Sequence, residues 1–115
     1  VTHKVPADAS APAAGACLRS AGAQVLVLIN PDVPQPRCVI VAAGQHLAVR
    51  NNTGEMGQPA RTVTLRWADY APRTLAPDAL TSYPQPFGSY LMPGVHRLQA
   101  PPLYAGSGAE IWLRR

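Results

Sequence analysis

Charge is scarce in this chain. Charged residues occupy 14% of its 115 positions, with a single lysine and a single phenylalanine, where an average soluble domain carries about 25% charged residues. That balance excludes a charged, solvent-bridging helix, and the 47% share of hydrophobic residues excludes a chain too polar to bury a core. Long apolar runs are missing as well. The stretch at 25–29 is five residues long, against the ~18 that a membrane-spanning helix needs. Helical territory is equally short: 13 prolines and 9 glycines are spread from Pro6 to Gly108. Each proline removes a backbone donor and fixes a dihedral, so no segment longer than about 20 residues is left for a helix.

Signatures of catalysis are absent too. No H-E-x-x-H, G-x-S-x-G, glycine-rich phosphate loop or kinase signature occurs. Of the six acidic residues, Asp8, Asp32, Glu55, Asp69 and Asp78 fall in turns, and Glu110 opens a strand. The fold could still assemble a hydrolytic site from distant residues, but acid and base groups are few, and the expectation is that the protein is not an enzyme. The basic residues lack any block. Nine of the ten are arginines scattered from Arg19 to Arg115, giving a net charge of +4. Nucleic-acid binders concentrate such residues in one stripe and interleave aromatics, so nucleic acid is not expected as a partner. An acidic partner or an anionic envelope surface suits the balance better.

Only two cysteines are present, Cys17 and Cys38, outside any CxxC, haem or zinc spacing. They read as a disulfide, worth about 3 kcal/mol on the chain-entropy model, which places the protein outside the cytoplasm, in a periplasmic, cell-surface or secreted setting. The chain opens on Val1 with no methionine and no apolar leader, which fits a removed targeting segment or a piece of a longer protein.

What is present is a series of short strand-like segments. Residues 1–16 are small, proline-containing and aperiodic, and read as a flexible arm; a single domain follows over 17–115. QVLVLIN (24–30), RCVIVAA (37–43), QHLAVRNN (45–52), RTVTLRWA (61–68), short pieces at 73–75 and 80–83, GVHRLQA (94–100) and AEIWLRR (109–115) alternate with turn signals. The second and third, divided by Gly44, read as a tight meander, and the last two as a terminal pair. In RTVTLRWA, Val63, Leu65 and Trp67 share one face and Thr62, Thr64 and Arg66 the other. Seven or eight short strands with a proline-rich crossing at 84–94 predict an all-β chain, a Greek-key β-sandwich of cupredoxin-like or immunoglobulin-like kind, with an open barrel next in line.

The block C-V-I-V-A-A-G-Q-H-L-A-V-R-N-N-T followed by P-F-G-S-Y-L-M-P-G-V-H-R-L before a last strand resembles the cupredoxin-like domains of exported proteins. The likeness covers about four fifths of the chain and rests on the V-x-x-G-Q-x-L-x-V-x-N-x-T strand pair and the P-G-V-H-x-L strand start. It implies a sandwich fold. Blue copper would require a thiolate, two imidazoles and a weak axial ligand, and the sequence departs from that pattern. No cysteine follows Cys38, the closing loop PPLYAGSG holds neither His nor Met, and no His follows Asn51 until His96. The resemblance therefore implies a domain without its blue-copper centre and without a cofactor.

Three groups of residues remain as candidate sites. A free α-amine at Val1, two backbone amides and the His3 imidazole would supply four nitrogens in a plane, the arrangement Cu(II) favours; the plainer reading is a histidine in a mobile arm. His96 shares parity with Leu98 and Ala100 and points inward, whereas His46 faces solvent; their separation gives no ligand spacing. Trp67 belongs to the core. Trp112 projects opposite to Ile111 and Leu113, towards Arg114 and, if the strands neighbour, Arg66, and Tyr83, Tyr90 and Tyr104 lie in proline-rich connections. Exposed Trp with Arg suits a protein interface or a sugar-stacking platform, and rigid loops present tyrosines at small entropic cost. Asn51-Asn52-Thr53 matches the N-glycosylation acceptor pattern. The expectation is a non-catalytic module, partnered by other protein subunits of an envelope or extracellular assembly. A Cu(II)-handling protein and a carbohydrate-binding module are the alternatives.

Overall fold

Short apolar alternations and proline stops produce ten strands in the computed structural model, which describes residues 4–106 and 108–114. In chain order they are β1 (Leu18–Arg19), β2 (Gln24–Ile29), β3 (Pro34–Gln35), β4 (Cys38–Val41), β5 (His46–Asn51), β6 (Val63–Leu65), β7 (Arg73–Leu75), β8 (Leu80–Tyr83), β9 (Gly94–Leu98) and β10 (Ala109–Leu113). One helical turn, α1 (Phe87–Tyr90), lies in the proline-rich crossing, and single 3-10 turns occupy Glu55–Gly57 and Leu103–Gly106. The described chain is thus predominantly β. The two strands beyond the expected eight, β1 and β3, are two-residue pieces at sheet edges.

Two four-stranded sheets form, in the orders β1-β4-β10-β9 and β3-β2-β5-β8, and β6 and β7 make a separate pair. In the first sheet β4 runs parallel to both β1 and β10, and β10 is antiparallel to β9. In the second, β5 lies parallel to β2 and antiparallel to β8. Arg66 and Gln99 exchange both backbone hydrogen bonds, at 2.8 and 3.0 Å, tying the end of β6 to the end of β9. The terminal pair β9–β10 is as expected, but the meander at 37–52 is not. β4 and β5 belong to different sheets, because each shows its apolar face to the common core, and the turn at 42–45 carries the chain across rather than back.

The inward faces explain the strands. Val25, Val27 and Ile29 of β2 and Leu47 and Val49 of β5 share one buried cluster with Val39 and Val41 of β4, and with Ile111 and Leu113 of β10. Period-two spacing of β-branched residues sets these faces, and each fully buried Val, Leu or Ile contributes about 1.5–3 kcal/mol. Trp67, Phe87 and Tyr90 close one region of the cluster with edge-to-face contacts at ring centroid distances of 6.3 and 6.4 Å. No helix among the described residues is long and apolar enough to cross a membrane.

Residues 4–16 correct the expectation of a flexible arm. Val5 donates to Tyr90 O at 2.8 Å and accepts from Met92 N at 2.9 Å, while Asp8 donates to Val95 O and Val95 to Ala9 O, both at 2.8 Å. The segment then passes over β10 to the Cys17–Cys38 disulfide, which joins it to β4 within the first sheet. Its small side chains are what allow this: a Cβ at Gly94 would collide with Ala7, so the backbones approach without any apolar periodicity to advertise the contact.

A candidate binding groove on the first sheet

Outward parity on β9 places Arg97 beside Glu110 of β10, its register partner. Gln99 projects on the same side, because His96, Leu98 and Ala100 are buried on the other. Arg37, just before β4, is held next to Glu110 through Glu110 N donating to Arg37 O at 2.8 Å. The arm, the 32–34 loop and the 3-10 turn bearing Tyr104 wall the space above. The recess they enclose has a volume of about 720 Å3, and a second of about 240 Å3, reaching Asp8, Arg66 and His96, shares Arg97 and Gln99 with it.

The charges in this groove are unevenly matched. Glu110 is 5% exposed, and its carboxylate oxygens accept from Ala13 N at 2.9 Å and Ala14 N at 2.8 Å. Arg97 Nε lies 3.9 Å from Glu110 Oε2, at the limit of an ion pair and beyond a hydrogen bond. Asp8 likewise gives an oxygen to a backbone amide, that of Arg97, at 2.8 Å. Two of the three carboxylates lining the recesses thus satisfy main-chain donors, and the third, Asp32, is exposed. The Arg37 and Arg66 guanidiniums have no partner among the described residues.

Tyr104 is the interaction candidate that the structure brings to this groove. It is half-buried, sits at φ 64°, and its hydroxyl donates to Asn30 O at 2.5 Å; burial pushes the phenol well above its usual range. Trp112 and Arg114 form a pair of their own, with the guanidinium carbon 4.9 Å from the ring centroid. Trp112 is half-buried between Ile40 and Val95 in register. Arg66 lies instead against β9.

Tyr83 and Tyr90 are corrections. Both rings are in the core, 0% and 6% exposed. Tyr83 alternates inward on β8 opposite Leu47, and α1 turns Phe87 and Tyr90 to the same buried side, three residues apart. Tyr90 Oη accepts from Trp67 Nε1 at 2.8 Å, and burial raises its phenol to about 12. Tyr83 Oη is buried with no partner among the described residues; burial raises this phenol also, partly offset by the Arg73 guanidinium 4.0 Å above the ring. With these two rings inside and Arg114 packed on Trp112, Tyr83, Tyr90 and Trp112 do not share an exposed face among the described residues.

The glycosylation pattern is likewise overturned. Asn51 is fully buried, its amide donating to Arg61 O at 2.7 Å and Leu75 O at 2.9 Å while Oδ1 accepts from Thr53, so the folded chain offers no acceptor nitrogen there. His96 is buried against Met92 O at 2.7 Å and the Trp67 ring, and His46 is half-exposed on β5 in the other sheet. Val1 and His3 lie outside the described residues. Among those described, no three His, Cys, Asp or Glu side chains group as metal ligands would. The Arg37–Arg97–Glu110 grouping draws its members from distant segments, so no local motif announces it; its one sequence signal is the outward parity of Arg97 and Gln99 against His96 and Leu98.

No family model matches the chain, and no curated protein is significantly similar to it.

Proposed function

We propose that this protein is a non-catalytic, exported module that serves as a structural or protein-interaction subunit of an envelope or extracellular assembly. The observation that carries the reading is the groove. It is large enough for several side chains of a partner, and two of its carboxylates, Glu110 and Asp8, are tied to backbone amides of the arm and of β9 rather than arranged as nucleophile and base. Two parallel pairings, β2 with β5 and β4 with β10, each flanked by an antiparallel neighbour, support a Greek-key β-sandwich of cupredoxin-like kind, with a core shared by both sheets. The disulfide is compatible with an oxidising compartment.

Native mass spectrometry of material from its own source tests the proposal. The expected result is a chain two hydrogens lighter than the reduced mass, held in a complex with another protein. A chain found only as a free monomer, across the concentrations at which it occurs, overturns it.

A further inference from the structure

We propose that Arg73 is a guard on the open edge of β8, and that it keeps the chain from pairing strand to strand with a second copy of itself. This role concerns self-association and does not depend on the partner proposed above.

Four strands end the two four-stranded sheets, and the unpaired backbone groups of such edges invite other chains. β1 and β3 are two residues long, and Pro34 of β3 has no amide to offer. The β9 edge is taken by the arm at Val95. β8, with four residues, is the longest edge left without a backbone partner among the described residues. Asn51 N donates to Ala79 O at 3.0 Å, and Thr81 and Tyr83 are the register partners of Val49 and Leu47. These residues therefore turn their backbone groups towards β5, and Leu80 and Ser82 turn theirs outward. Arg73, from β7, reaches across that edge. Its Nη1 donates to Ser82 O and to Thr81 Oγ1, both at 2.9 Å, and its guanidinium carbon lies 4.0 Å from the Tyr83 ring centroid.

The register of the edge defines what the guard excludes. A second β8, antiparallel about a two-fold axis through Thr81, would set Leu80 opposite Ser82 in both halves, and each pair would exchange two backbone hydrogen bonds. Leu80, 50% exposed, would be partly covered by the facing strand. Arg73 acts against this pairing in two ways. It occupies Ser82 O, the acceptor that each pair requires. It also brings one guanidinium per copy to the axis, where facing Thr81 Cα atoms would lie about 4.5 Å apart and like charges repel. Its two hydrogen bonds and its stack over Tyr83 hold it in place. An apolar residue at 73 removes both obstacles and leaves the edge itself unchanged.

The test is sedimentation equilibrium of the full chain, joined to amide hydrogen exchange, with thermal unfolding to confirm that each variant is folded. The wild type should remain a 12.2 kDa monomer at concentrations up to about 1 mM, with the Leu80 and Ser82 amides exchanging freely. R73A should raise the average mass towards twice that value and slow exchange at both amides. R73M, which keeps an alkyl stem over the Tyr83 ring, takes its place if R73A does not unfold cooperatively. R73A/S82P lacks an outward amide that the sheet itself does not use and should return to monomer. R50A, on the outer face of β5, carries the same loss of charge and should stay monomeric. A folded R73A or R73M that remains a monomer at about 1 mM, association of R73A/S82P or R50A equal to that of R73A, or a wild-type dimer with a protected Ser82 amide overturns the proposal.

Discussion

Two tyrosines at the same depth in the core have opposite hydrogen-bonding accounts, and single substitutions separate them. Tyr90→Phe removes the acceptor of the buried Trp67 indole N–H and leaves that donor unsatisfied, a cost of about 1–3 kcal/mol. Tyr83→Phe removes a hydroxyl with no partner among the described residues and is expected to change stability by less than about 0.5 kcal/mol, or to raise it. Urea unfolding of both variants checks the pair; equal losses would mean that the Trp67–Tyr90 bond contributes nothing. Glu110 is the third residue of consequence, because two arm amides end on its carboxylate. Glu110→Ala should cost about 1.5–3 kcal/mol and raise amide hydrogen exchange at Ala13 and Ala14, with exchange in β2 rising only through the global loss.

At the scale of elements, the arm and the disulfide act as one strap across the first sheet. Val5 pairs with the 90–92 segment, and Asp8 and Ala9 occupy the edge of β9 at Val95, which would otherwise present unpaired amides and carbonyls to other chains. Gly94→Ala tests the fit. The position has φ 131° and its added methyl would meet Ala7, so the strap should lift at that point and limited proteolysis near residue 10 should accelerate. Replacing Cys17 and Cys38 together by Ser opens a loop with a sequence separation of 21 and should lower stability by about 3 kcal/mol. Intact unfolding curves for the double variant would show that the strap adds no constraint. These elements also mark what was legible in the sequence. Period two in 24–30, 61–68, 94–100 and 109–115 identifies strands and their buried faces, since each face meets solvent or core on its own. Periodicity carries no information about which strand lies alongside. That is why β4 and β5 read as a hairpin and why Arg37, Arg97 and Glu110 stayed unconnected. The arm carried no pattern because Ala and Ser pack by being small. The prolines on either side of Tyr83 and Tyr90 suggest exposed loops, whereas they frame an edge strand and a single inward helical turn.

Over the whole molecule, the buried phenols couple stability to alkaline pH. Tyr90 is raised from 10.0 to about 12, chiefly by burial, and burial also raises Tyr83 and Tyr104. In the unfolded chain these phenols ionise near 10, while the folded chain keeps them protonated. Above that pH the unfolded state therefore binds fewer protons, and stability falls as pH rises. The contribution is complete below pH 10 and is lost as pH climbs through about 12 for Tyr90, a loss on the order of 2 kcal/mol from this residue. Acid has no such lever through these groups, since both states hold the phenol proton there. Urea midpoints measured from neutral pH upward should stay level to about pH 10 and then decline, with the tyrosinate absorbance of Tyr83, Tyr90 and Tyr104 appearing in step with unfolding rather than ahead of it. Tyr90→Phe should flatten part of the decline while lowering the plateau. A folded protein that shows full tyrosinate absorbance at pH 11, with its midpoint unmoved, would remove burial as the cause.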